Sequence, residues 1–418
     1  MCAVGMVAFG LALLAVAGGH AADLPDAWAE MSPAGGTDLR ALVPSGADCP
    51  KLTIAADETS FTIRAEPDPD FPFRVCSARL PASAHEIAVD GLSTPALPRD
   101  INRIVVLGDT GCRIKGRFVQ DCNSPAAWPF AAVARAAAQR HPDLVIHVGD
   151  YYYRETACPE GNQGCARSPY GDHWAAWKAD FFDPAAPLLA AAPWVMVRGN
   201  HESCARGGRG WLRLLDPHPE VTECPVAGEP YALRLPGLQL LVFDSADADD
   251  DKADPDRVGM YRGQLQALLS QAEDPAWLLT HRPVWALAEG WDVSPGSTLN
   301  LTEQAAIRDL VPEAVHMVLS GHVHDFTAYS FGPERPAQLI VGTGGDTSDP
   351  IPQPIKPDVV IDGMQARQAR GLRDYGYLVL ERAGTEWNGT FYSTADAVLA
   401  RCTLRSRDLT CDLTGGRM

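Results

Sequence analysis

Seven apolar runs of strand length, at residues 104–107, 144–148, 194–197, 238–243, 277–279, 315–319 and 338–341, punctuate the chain. Longer stretches with helical spacing separate them, such as the Ala-rich face of residues 131–140 and the Leu positions of residues 263–271. Short apolar runs alternating with helices predict a layered α/β domain, because a strand covered on both faces has no polar side to show. Most of these runs stop at a polar residue able to donate a lone pair. No fixed-period repeat or long low-complexity tract interrupts the pattern.

The first part of the chain has a different texture. Residues 23–99 alternate short β-favouring stretches, such as Lys51-Leu52-Thr53-Ile54 and Phe61-Thr62-Ile63-Arg64, with Pro, Gly and Asp. They predict a small β-rich domain or arm, joined through Ser93-Thr94-Pro95-Ala96-Leu97-Pro98 to a main domain over residues 100–418. Residues 375–392 alternate apolar and polar positions and read as strands closing a second sheet. Ahead of all this, the apolar run at residues 4–17 is too short to span a bilayer and ends in small residues. That predicts a signal peptide over residues 1–22, with a buried N-terminal helix as the competing reading because no Lys or Arg precedes the run. No other long apolar run exists, so no stable membrane insertion is expected, and the location would be periplasmic or extracellular.

Cysteine usage agrees with export. Eleven cysteines are present, and outside the expected leader ten remain: Cys49, Cys76, Cys112, Cys122, Cys158, Cys165, Cys204, Cys224, Cys402 and Cys411. An even set fits an oxidising compartment, and in order they form five neighbour pairs, although order alone does not prove connectivity. A thiolate zinc site is the alternative, but no CxxC pair occurs. The net charge of −18, from 53 acidic and 35 basic side chains, repels polyphosphate backbones and excludes the basic stripe of a nucleic-acid binder. The acidic stretch at residues 244–256 lacks the central Gly and terminal Glu of a calcium loop and reads as a solvated loop.

The polar residues after the strands form ordered blocks: Gly108-Asp109-Thr110-Gly111, Gly149-Asp150-Tyr151-Tyr152-Tyr153, Gly199-Asn200-His201-Glu202, His281, and Gly321-His322-Val323-His324. In open α/β sheets the ligand crevice lies beyond the carboxyl ends of the strands, so distant blocks can converge there. Carboxylate, amide, phenol and imidazole together suit transition-metal ions better than calcium or magnesium. Each residue alone has a blander reading: Asp109 as a turn cap, Asn200 in a left-handed position, His322 on a surface loop, Tyr153 as a packed aromatic. The joint order is what carries the signal. His147 reads as a core residue, Asp172-His173 as a helix cap and first turn, and Gly342-Thr343-Gly344-Gly345 as a turn leading away from the site. Arg154, Arg198, Arg206 and Arg282 lie near the blocks, with solvation expected for each.

These blocks resemble the five-block signature of metallophosphoesterases of the calcineurin-like superfamily, and the Tyr three residues after Asp150 resembles the purple acid phosphatase type. The resemblance implies a four-layer α/β/β/α sandwich, preceded here by the small β-rich N-terminal domain. It implies two metal ions: one held by Asp109, Tyr153 and His324, the other by Asn200, His281 and His322, with Asp150 bridging. It further implies Fe(III) at the first position and a divalent ion (Zn, Mn or Fe(II)) at the second, attack on phosphate monoesters by a hydroxide generated at the metal pair, and His201 as proton donor. Small phosphorylated molecules are the expected substrates. A phosphodiesterase acting on nucleotides or phospholipid headgroups is the alternative reading. A non-catalytic secreted binding protein is the third, and loss of one or more ligands would be its mark. The sequences after His281 and Glu202, Arg282-Pro283 and Ser203-Cys204-Ala205-Arg206, depart from the family's best-known members and leave substrate preference open. Asn300-Leu301-Thr302 and Asn388-Gly389-Thr390 fit the glycosylation pattern.

Overall fold

In the strand Arg103–Leu107, Ile104 and Val106 face one core while Val105 and Leu107 face another, as the two-residue period of a strand requires. Leu144 and Ile146 against Val145 repeat the division in Leu144–His147. The computed structural model describes residues 27–415 except 34, 56, 82, 220–222, 288–297, 350–354 and 356–358. The run expected to be a signal peptide lies outside the described residues. On the inner face of the first sheet, Ile104 and Ile146 pack with Leu240, Trp277, Leu279, Met317 and Leu319 of a second sheet. Outside the first sheet lie the helices Phe130–Ala138, Asp183–Leu189 and Gly208–Leu214. Outside the second, Leu241, Leu278 and Val318 pack on Pro255–Leu269 and Leu301–Ile307. The layers therefore run α/β/β/α.

The parallel strands set the site. Arg103–Leu107, Leu144–His147 and Trp194–Met196 lie side by side in the first sheet, and Leu238–Val242, Ala276–Leu279, Val315–Ser320 and Ala337–Val341 do so in the second. Leu107 stands opposite His147, and just beyond, Asp109 N donates to Gly149 O at 2.9 Å and Thr110 N to Asp150 O at 3.0 Å. Strand register alone thus brings the first two blocks together.

Both ends of the chain extend the first sheet, which has eleven strands. Trp28–Met31 lies parallel to Trp194–Met196 and is followed outward by Thr37–Pro44, Phe73–Leu80 and Thr62–Ala65. A four-stranded sheet packs on this β-rich edge around Leu39, Ala41, Leu52 and Val89. At the other side, Gly376–Ala383 pairs antiparallel with Arg103–Leu107, so the C-terminal strands enlarge the first sheet instead of closing the second. All five neighbour pairs of cysteines are disulfides, Cys49–Cys76, Cys112–Cys122, Cys158–Cys165, Cys204–Cys224 and Cys402–Cys411, which fits an oxidising compartment. Among the described residues no helix is long and apolar enough to cross a membrane. Asn300 corrects one expectation: it is buried, caps Leu301–Ile307 by accepting from Glu303 N at 3.2 Å, and offers no surface for a glycan.

Where the N-terminal strands join the sheet, Glu30 is fully buried, with Trp28 Nε1 donating to it at 2.6 Å and the Arg40 guanidinium in ion-pair range at 3.5 Å. Burial lifts its carboxyl from 4.5 to about 7, with Arg40 and Trp28 pulling the other way. A carboxyl that holds its proton more tightly when folded favours folding less as pH rises from about 4.5 to about 7. Glu30→Gln removes that dependence. Urea unfolding should show the variant gaining about 3 kcal/mol on the wild type across this window; parallel stability curves would contradict the assignment.

Candidate metal centre

Asp109, Asp150 and His324 bring one donor atom each within 4.8 Å of one another, and so do Asp150, His281 and His322. Asp150 belongs to both groups. Tyr153 Oη lies 2.8 Å from Asp150 Oδ2, 3.2 Å from Asp109 Oδ1 and 3.0 Å from His324 Nε2. His281 Nε2 lies 3.0 Å from Asn200 Oδ1 and 3.2 Å from Asp150 Oδ2. All seven donors read from the sequence therefore meet at one place. Of the three consecutive tyrosines only Tyr153 turns its hydroxyl here, since Tyr151 donates to Val197 O at 3.1 Å and Tyr152 to Arg154 O at 2.9 Å.

The outward nitrogens of the imidazoles decide what the inward ones can do. His281 Nδ1 donates to Val148 O at 2.8 Å and His324 Nδ1 to Thr347 O at 2.9 Å. His322 turns Nε2 outward to Asp250 Oδ2 at 3.0 Å. Each ring is thereby fixed in the tautomer that points a lone pair into the cluster, the arrangement metal-binding histidines adopt. Charge agrees. Burial opposes protonation, yet Asp150 and Asp109 lift His281 to about 9, and Asp346, Asp349 and Asp109 lift His324 to about 10. Burial, reinforced by Asp150 and Asp109, holds the Tyr153 phenol well above its usual range. The carboxylates draw positive charge to this point, and cations would take the place of those protons. The residues present fit a pair of metal ions.

The backbone around the donors is strained and tightly tied. Asp109, Asp150 and His322 all adopt left-handed φ values, of 55°, 60° and 70°, a conformation that costs of order 1 kcal/mol or more each without Gly. Hydrogen bonds hold it: His322 N donates to both Asp109 oxygens at 3.1 Å, and His201 N to Asp150 Oδ1 at 2.8 Å. Close approach demands glycine at two positions, where a Cβ on Gly199 would lie 2.1 Å from Asp150 Oδ1 and one on Gly321 2.3 Å from Asp109 Oδ2.

Several residues that build the site escaped the sequence reading. Glu202 accepts from the N–H groups of Asp150, Tyr151, Tyr152 and Gly199 at 2.9–3.1 Å. Removing it would orphan four buried donors, at about 1–3 kcal/mol each. Its signal was present, as the carboxylate closing the Gly199-Asn200-His201-Glu202 block. Asp180 does the same for Cys112, Tyr153 and Arg154 at 2.8–3.1 Å, with nothing local to mark it. Glu155 Oε1 lies 2.7 Å from His201 Nδ1 and Asp150 Oδ2 3.8 Å from Nε2, while Arg206 Nη2 comes within 2.6 Å of both ring nitrogens. Burial pushes His201 down to about 3 despite Asp150 and Glu155.

Other expectations are corrected. Arg154, Arg198, Arg206 and Arg282 are not solvated: they pair with Asp180, Asp244, Glu155 and Asp250. The acidic stretch is no free loop either, since Asp254 caps Pro255–Leu269 and Asp250 reaches the cluster. The Gly342–Gly345 turn does not leave the site: Gly344 N donates to Gly108 O and Asp346 N to Asp109 O, both at 2.9 Å. His173 occupies the cap position of Trp174–Trp177 without a side-chain cap, and Asp172 instead accepts from Gly210 N at 3.0 Å. His147 is the core residue it was read as, stacked on Tyr151 and 3.0 Å from Thr110 Oγ1.

Comparison with known proteins places this geometry. A family model described as calcineurin-like phosphoesterase matches residues 102–326, more than half of the chain. No curated protein matches significantly. The fold is similar to the purple acid phosphatase PPD1 from yellow lupin (Lupinus luteus) seeds, with 12% identity, TM-score 0.60, 92% of this chain and 73% of that one covered. It is also similar to PhoD, with 12% identity, TM-score 0.54, and 94% and 93% covered.

Proposed function

The chain belongs to the calcineurin-like phosphoesterase family and is a metal-dependent phosphoesterase, and from that premise we propose an exported phosphatase that hydrolyses small phosphate monoesters. The supporting observation is the meeting of seven donors at one place, Asp150 among them, with three imidazoles turned lone pair inward. In this reading Asp109, Tyr153 and His324 would hold one ion, Asn200, His281 and His322 the other, and Asp150 would serve both. Two bound ions supply a clamp for the phosphoryl oxygens and activation of the attacking water. Tyr153, the only phenol in the set, together with carboxylates favours Fe(III) at the first position. The imidazole-rich second position favours Zn, Mn or Fe(II).

The chain's own groups do the rest. The His201 ring lies against Tyr153, tilted by 37° with ring centroids 3.7 Å apart, which restricts the plane of its imidazole. Glu155 anchors Nδ1; burial by itself keeps the ring neutral, so Nε2 hands a proton to the departing ester oxygen once the negative charge of the bound phosphate ester has raised the imidazole. Three guanidinium groups, of Arg113, Arg206 and Arg282, each approach one histidine of the site at 3.3 Å or less. Each is paired with a carboxylate, of Asp346, Glu155 or Asp250, so the three guanidinium groups brace the histidines of the site. Residues 1–22 would serve as leader, residues 23–99 as an accessory β-rich part and residues 100–418 as the catalytic unit.

Two measurements test this. An aryl phosphate monoester should be hydrolysed faster than its bis-aryl diester, and His201→Asn should lower kcat by about 100-fold or more with metal content unchanged; preference for the diester would overturn the monoester assignment. The wild-type protein should be coloured by a phenolate-to-iron band that Tyr153→Phe abolishes, and a colourless protein holding two zinc or manganese ions would refute iron.

A further inference from the structure

Two of the three imidazoles turned into the cluster are fixed from outside by backbone carbonyls, those of Val148 and Thr347. The third, His322, is fixed by a side chain: Asp250 Oδ2 lies 3.0 Å from its Nε2. Asp250 belongs to the acidic stretch that no motif explained, and its carboxylate is largely buried at 14% exposure. Its backbone is docked on the start of Leu301–Ile307, where Leu301 N donates to Asp250 O at 3.2 Å and Thr302 N to Asp249 O at 3.3 Å. The carboxylate is therefore delivered by a braced segment.

Proton accounting fixes its role. The Arg282 guanidinium pairs with the same Asp250 oxygen and comes within 2.9 Å of His322 Nε2. Guanidinium can only donate and a carboxylate can only accept. Nε2 thus meets a donor, Arg282 Nη1, and an acceptor, Asp250 Oδ2; with a cation on Nδ1 the ring hydrogen stands on Nε2, and Asp250 Oδ2 is the acceptor that receives it while also holding Arg282. We propose that Asp250 is a positioning residue that holds His322 in its Nε2–H tautomer and so equips one of the two metal positions, with Arg282 holding the carboxylate in place. The proposal rests on the two-metal reading above. A charged acceptor also makes the imidazole a better donor than a carbonyl would, and such partners typically matter by about 10–100-fold in metal affinity.

The test is zinc binding to the full chain after chelator treatment, followed by competition with a chromogenic chelator, for the wild type, Asp250→Ala and Asp250→Asn. The wild type should take up two ions. Asp250→Ala should weaken one of them by about 10–100-fold and leave the other unchanged, with the circular dichroism spectrum preserved. Asp250→Asn, whose amide oxygen still accepts the Nε2–H without charge, should lose less. If Asp250→Ala does not fold, Asp250→Asn decides by the same selective weakening. Wild-type affinity at both positions, or equal weakening of both, overturns the proposal. A wild type that binds fewer than two ions overturns the two-metal reading itself and this inference with it.

Discussion

The carboxylate of Asp150 stands where both donor groups overlap, and what surrounds it is arranged to keep a negative charge there. Burial alone would protonate it, but the charge of His281 and its hydrogen bond hold it well below the usual carboxylate range. Its backbone N–H is tied to Glu202, its Oδ1 receives His201 N, and its Oδ2 receives the Tyr153 hydroxyl. No spare conformation is left to it. A site that concentrates carboxylate charge in a dry core is costly unless cations occupy it, and this is the physical reason the fold and the metals belong together.

The sandwich is what makes such a concentration tolerable. Two sheets buried on both faces supply rigid strand ends, and the donors sit on the turns just past them, in left-handed backbone held by hydrogen bonds from neighbouring turns. The strain at Asp109, Asp150 and His322 is local, whereas the packing that opposes it is spread over the whole core. The acids Glu202 and Asp180 convert loose turns into fixed ones by collecting backbone N–H groups. Donor placement thus depends on residues that touch no ion.

The sequence made the donors legible because each of the five blocks that carry them follows its own strand, so local order was enough to name them. The layers were legible for the same reason, since the two-residue split of Ile104 and Val106 from Val105 and Leu107 is written in adjacent positions. What was not legible depends on partners far along the chain. Nothing near Trp28–Met31 announces that it will lie beside Trp194–Met196, nor near Gly376–Ala383 that it will flank Arg103–Leu107. A lone Asp250 among acidic neighbours carries no mark that His322 will meet it, and the four arginines looked solvated only because their acids were invisible. Asn300 fits a glycosylation pattern, yet burial at a helix cap overrides the pattern.

The central claim is that one carboxylate organises two ions, and counting metals per chain addresses it directly. Purified wild-type protein loaded and then desalted should retain two ions, while Asp150→Ala, still folded by circular dichroism, should retain fewer than two and lose phosphate-ester turnover. Two ions retained in the variant, or full turnover without that carboxylate, would contradict the account.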